Sequence, residues 1–134
     1  MEQHHEELER SECLELLANG NYGRLGVMVD GYPVVLPMQY ALDGERVVLR
    51  TNPGSKFSQA PLANVSFEID HVDLERETGW SVLVQGVAED ITNAIDTLSV
   101  QARELTVDTW AQSPADCWLA IVARKITGRR ITTG

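Results

Sequence analysis

The chain has 134 residues, 43% hydrophobic and 23% charged, which fits one ordinary globular domain spanning residues 1–134 that needs no disulfide or metal staple. Its net charge of −9 argues against nucleic acid or an anionic membrane as the main partner, since binding either relies on Lys and Arg neutralising phosphates. No apolar run approaches the roughly 18 residues of a membrane span. The acidic start Met1-Glu2-Gln3-His4-His5-Glu6-Glu7 lacks the basic and apolar regions of a secretory signal. With Cys13 and Cys117 far apart and outside any metal-type spacing, the expectation is a cytoplasmic chain with two buried thiols.

The first segment, Glu6 to Ala18, is rich in helix formers and crowds Cys13, Leu14, Leu16 and Leu17 on one side, with Leu8 off that face; Asn19-Gly20 supply a stop. From Tyr22 the texture turns to alternation. Leu25, Val27 and Val29 lead to the turn dipeptide Asp30-Gly31, Pro33 to Leu42 puts Val34, Leu36, Met38 and Tyr40 on one face, and Asp43-Gly44 repeats the turn before Val47 to Arg50. The pattern predicts a three-strand meander. Asn52-Pro53-Gly54 breaks the third strand, and Ser55 to Ala60 reads as one or two helical turns.

Val65, Phe67 and Ile69 alternate with Ser66, Glu68 and Asp70, giving a strand with one dry and one wet face. After a polar loop from His71 to Thr78, Val82, Val84, Gly86 and Ala88 alternate with Ser81, Leu83, Gln85 and Val87. Both faces of this fifth strand are partly apolar, which makes it central or interfacial. Between Thr92 and Thr109, Ile91, Ile95, Leu98, Ala102 and Leu105 recur at helical spacing. A last β-rich run covers Cys117 to Ile126. Six strands with flanking helices predict a mainly β fold, a small antiparallel barrel with helices at its rim.

One stretch suggests chemistry. Arg50-Thr51-Asn52-Pro53-Gly54-Ser55-Lys56 sets cations and hydroxyls at a strand end and a helix start, where exposed N–H groups favour an anion such as phosphate. His71 lies in an acidic loop, and no metal site is expected there. No nucleophile elbow or paired Ser/Cys and His motif supports hydrolysis, and the catalytic residues are unassigned. Trp110 and Trp118 read as core anchors.

The chain resembles the pyridoxamine 5′-phosphate oxidase-like split β-barrel proteins. The likeness is carried by Gly23-Arg24-Leu25-Gly26-Val27, by Pro33 to Tyr40 with Asp43-Gly44, by Arg50-Thr51 with Gly54-Ser55-Lys56, by Gly79 to Gly86, and by Ile126-Thr127-Gly128-Arg129-Arg130-Ile131. The resemblance implies a six-stranded antiparallel split β-barrel, a homodimer, and FMN at the interface, with Arg50, Thr51, Ser55 and Lys56 on its phosphate. It further implies Leu36, Pro37, Met38 and Gln39 along the ring edge, and Trp80 and Arg129 reaching the flavin of the other subunit. The chain has no histidine beside its terminal arginines, so the arginine and histidine grip of true pyridoxamine phosphate oxidases is missing and vitamin B6 oxidation is not expected. What remains is an FMN-dependent oxidoreductase for a small organic substrate. The alternatives are a flavin carrier or redox sensor without turnover, or a barrel holding FAD, a deazaflavin or haem.

Overall fold

The computed structural model of the chain describes residues 2–51, 64–105, 107 and 117–133. Asp30 and Gly31 both take positive φ, 52° and 83°, the geometry of a tight turn whose twist matches that of the strands it joins. The turn pairs β2 (Tyr22–Val29) with β3 (Tyr32–Gln39), after β1 (Gln3–Glu7) and α1 (Arg10–Asn19). Gly44, at φ 62°, closes a second hairpin between β4 (Ala41–Asp43) and β5 (Arg46–Thr51).

The expected meander does not form. The run Pro33 to Leu42 breaks at Tyr40, whose backbone N–H donates to the Asn21 carbonyl, and β5 pairs with the distant β8 (Cys117–Thr133). The Tyr40 side chain accounts for the break. It is buried edge-on to Phe67, with ring centroids 5.0 Å apart, and its hydroxyl donates to the Leu17 carbonyl at 2.5 Å, tying the strand crossing to α1. Burial pushes the phenol up to about 12. Tyr40→Phe keeps the packing and removes this one bond, so urea denaturation should show a loss of about 0.5–1.5 kcal/mol. No loss would mean that the ring alone fixes the crossing.

β6 (Asn64–Asp73) and β7 (Thr78–Asp90) complete a sheet of order β3-β2-β6-β7-β8-β5-β4, with β1 beside the second half of β8. The two edges of that order, β3 and β4, are neighbours in sequence through Tyr40, so the sheet curls back on itself as a split β-barrel. Among the described residues there are eight strands rather than six. The additions are β4, made by the break at Tyr40, and β1, whose polar sequence gave no strand signal and whose order comes from pairing Gln3–Glu7 with Arg129–Thr133. The first helix consequently starts at Arg10, not Glu6. Leu8, expected off the helix face, is buried just ahead of it, with its N–H donating to the Gly128 carbonyl.

Inside the curl, Leu25, Leu49, Phe67, Val82, Val84, Leu119 and Ile121 form the main core, lidded by Cys13 and Leu17 of α1. Both cysteines are buried free thiols. A smaller core on the opposite face joins Val48 and Ala120 to Ile91, Ala102 and Val107. Here the helical stripe expected across Thr92 to Thr109 is corrected. Asp96 caps the helix by accepting from the Ser99 N–H, so α2 covers only Thr97–Ala102 among the described residues. Ile95 precedes the cap and is 92% exposed, Leu98 points outward, and the face turned to the core is Ser99 and Ala102. No described helix is long and apolar enough to cross a membrane.

Candidate functional site

Alternation and register decide which side chains share the outer face of the sheet. Across β3-β2-β6-β7-β8 one row runs Pro37, Arg24, Glu68, Leu83, Thr127. The next row toward the hairpin turn runs Val35, Gly26, Ser66, Gln85, Lys125. Two residues the other way along the strands, Asp70, Ser81 and Arg129 are aligned, and Gln39 faces Tyr22.

A polar cluster sits at the centre of this face. The Arg24 guanidinium donates to Glu68 Oε1 at 3.1 Å and to Asp70 Oδ2 at 3.0 Å. Burial, then the hydrogen bond and charge of Asp70, raise the Glu68 carboxyl to about 7 against the opposing pull of Arg24. The reference value for an unfolded chain is about 4.3. The folded state therefore holds a proton that the unfolded chain has released, and the contribution of Glu68 to stability is greatest below the unfolded value and is lost as pH rises through about 7. Glu68→Gln removes that titration. Its stability relative to the parent protein, followed by urea unfolding at pH 5 and pH 8, should shift in favour of the variant at the higher pH; equal gaps at both pH values would place the Glu68 proton elsewhere.

Glu68, Ser81 and Arg129 border two adjacent grooves, one of ≈ 390 Å³ reaching Trp80 and Thr78, the other of ≈ 780 Å³ reaching Leu8 and Lys125. Arg129 is thus exposed at the border of both grooves. Trp80 lies over the edge of the main core, partly buried, and pairs with Arg130 across the strands while lining the smaller groove. Pro37 and Gln39 are on the outer face of β3, while Leu36 and Met38 turn the other way, opposite Leu25 and Gly23. Among the described residues β3 pairs only with β2, so its second backbone edge faces away from the ladder.

At the far end of β8, Arg50 stacks over the Trp118 ring at 4.8 Å and donates to the Val107 carbonyl at 3.3 Å. Thr51 is buried opposite Cys117. Ser55, Lys56 and Trp110 lie outside the described residues. Arg50 pairs with Trp118, and Trp118 and Arg129 share one side of β8, separated along the extended strand by up to about 36 Å. Within one chain Arg50 and Arg129 are therefore at opposite ends of the face. Sequence reasoning did not single out the Arg24, Glu68, Asp70 cluster. The wet alternation of Glu68 and Asp70 was the available signal, but their convergence on Arg24 depends on the β2–β6 register.

A curled antiparallel sheet with a solvent-open outer face, rimmed by a strand-end arginine and a lidding helix, defines the split β-barrel class. Residues 9–130 match the sequence family described as pyridoxamine 5′-phosphate oxidase, and the chain belongs to that family. It is 31% identical to the uncharacterized protein Rv0080 of Mycobacterium tuberculosis, over 93% of this chain and 84% of that protein. Its fold is similar to that of the FAD binding protein from Mycobacterium smegmatis, with TM-score 0.80, 31% identity, and coverage of 93% of this chain and 98% of that one. A FAD-binding protein from Mesorhizobium loti shares the fold at TM-score 0.78 and 22% identity, over 98% and 100% of the two chains.

Proposed function

We propose that the chain binds a flavin nucleotide at the interface of a cytoplasmic homodimer and acts there as an oxidoreductase on a small organic substrate. The observation that carries this reading is the likeness, over nearly the whole of both chains, to the Mycobacterium smegmatis FAD binding protein at 31% identity. That likeness favours FAD over FMN as the form bound, and the two share the isoalloxazine ring and the first phosphate. The donor set fits such a group: Arg50 brings a guanidinium fork to the end of β5, Thr51 a hydroxyl beside it, and β3 a backbone edge for the polar rim of a ring.

When bound, a flavin supplies hydride or electron transfer, and the protein supplies position and exclusion of competing reactions. Arg50 and Thr51, with Ser55 and Lys56 as the resemblance implies, hold the phosphate, and Pro37 and Gln39 border the ring. Arg129 and Trp80 serve the flavin of the other chain, because the length of β8 keeps Arg129 away from Arg50 of its own chain. The dimer is supported by the same separation and by Leu83 and Val87, apolar side chains on the outer face of β7.

The test is the visible spectrum of the purified protein, before and after adding FMN or FAD, with flavin fluorescence titration and sedimentation at micromolar concentration. Paired flavin bands, saturable quenching and a dimer are expected. Absence of flavin binding, or a haem Soret band in its place, would overturn the cofactor assignment, and a monomer that still binds flavin would overturn the shared site. Turnover with a reduced pyridine nucleotide separates an enzyme from a carrier.

A further inference from the structure

One guanidinium nitrogen, Arg24 Nη1, serves two carboxylates at once, Glu68 Oε1 at 3.1 Å and Asp70 Oδ2 at 3.0 Å. With both acids ionised, the cluster carries one negative charge in excess. The sheet around it supplies nothing to cancel that charge at contact distance. Along the row of Glu68 the neighbours are Arg24 and Pro37 on one side and Leu83 and Thr127 on the other, and along the row of Asp70 the neighbour is Ser81. Arg129 of β8 comes next in that row, two strands from Asp70 or about 9.5 Å, with Lys125 further along the same strand. Glu7 of β1, opposite Arg129, adds another carboxylate, and Tyr22, opposite Gln39, is the remaining titratable group on the outer face of β2. Among the described residues, neither Glu68 nor Asp70 has a second ion-pair partner.

In the single chain this cluster is wet. The Arg24, Glu68 and Asp70 side chains are 41%, 33% and 29% exposed, so water screens the excess charge. Association through the outer face removes that water. An isologous dimer buries the same cluster from both copies, and an unpaired charge taken into an interface costs so much that the group neutralises instead. The neutral form is one cation, one carboxylate and one carboxylic acid, which is the cluster with a single proton added. Glu68 is the place for it: burial, then the hydrogen bond and charge of Asp70, already raise its carboxyl to about 7, and as an acid it donates to Asp70 while Asp70 keeps Arg24.

We propose that two copies of this chain associate by taking up one proton each at the Glu68–Asp70 pair, so that the dimer, and the flavin site it completes, loosens as pH rises. The inference rests on the reading of the outer face as the interface, in which Arg129, the nearest further cation, is committed to the flavin. The direction follows from linkage. Below about 7 the free chain and the dimer both hold the proton and the dissociation constant is flat; above it the free chain has released the proton that the dimer retains, and the constant climbs, by up to about 100-fold per pH unit for two protons.

The experiment is sedimentation velocity from nanomolar to micromolar concentration at pH 6, 7 and 8.5, with and without FAD. The dimer dissociation constant should be at least about tenfold larger at pH 8.5 than at pH 6. Glu68→Gln fixes the uncharged form with the same shape and keeps a donor for Asp70, so the variant should dimerise at pH 8.5 as tightly as the parent does at pH 6, with no slope between. His4, His5 and His71 are untouched in that variant, and a slope that survives in it would belong elsewhere and overturn the assignment to Glu68. A parent dimer equally tight at every pH overturns the proton uptake and leaves the shared site standing. A dimer that tightens as pH rises overturns it too, because a cation of the other copy would then be meeting the cluster. A chain that is monomeric at every pH overturns the shared site and this inference with it.

Discussion

Replacing Arg50 and Lys56 together with glutamine is expected to weaken flavin binding at least about 100-fold, from the loss of two charge-assisted contacts to one phosphate. Arg50 is already anchored, over Trp118 and to the Val107 carbonyl, so its guanidinium is oriented before any ligand arrives and little side-chain entropy remains to be lost. The same anchoring means the substitution touches stability, by about 0.5–1 kcal/mol for the stacking. Arg50→Lys distinguishes the two roles. It keeps a positive charge and gives up both the fork and the stack, so flavin binding should fall partway while the stability loss is retained. Parent-like flavin titration in the double variant would remove Arg50 and Lys56 from the site.

The largest expected effect on stability comes from a single methyl group. Gly86→Ala would put a Cβ 2.0 Å from the Val122 carbonyl oxygen and 2.9 Å from its carbon, both backbone atoms of the strand next door. No rotamer relieves that contact. The ladder must open where β7 and β8 already shift register, at a cost of about 3 kcal/mol or more and roughly 10 °C in Tm. Gly26→Ala, whose Cβ meets nothing within 3.7 Å, is the matched control and should be neutral or stabilising. Equal melting temperatures for the two variants would mean that the bulge absorbs the displacement.

Much of the fold is legible in local chemistry. Asp30-Gly31 announces a turn that requires positive φ twice, and the alternation of Val65, Phe67 and Ile69 identifies the dry face of β6. Long-range partners are not written locally. Nothing in Pro33 to Leu42 marks Tyr40 as a break, because its cause is the packing of its ring on Phe67 and its bond to the Leu17 carbonyl, both distant in sequence. The polar β1 gains its order from β8 alone, and Ile95 mimics a buried helical position although Asp96 starts the helix after it. The site divides in the same way. Arg50 and Arg129 stand out locally as candidates because they belong to motifs, whereas the convergence of Glu68 and Asp70 on Arg24 exists only through register.

β8 meets β7 along one side and both β5 and β1 along the other, so it is the seam that joins three separately made parts of the sheet. Every one of those partners precedes it in the chain. During synthesis the hairpins β2–β3 and β4–β5 and the β6–β7 pair emerge as fragments with open edges, and neither core can seal until the final seventeen-residue strand is out. Folding should be concentrated in one late, slow event, as expected for non-local pairing, and the nascent chain is most exposed to misassociation just before that strand arrives.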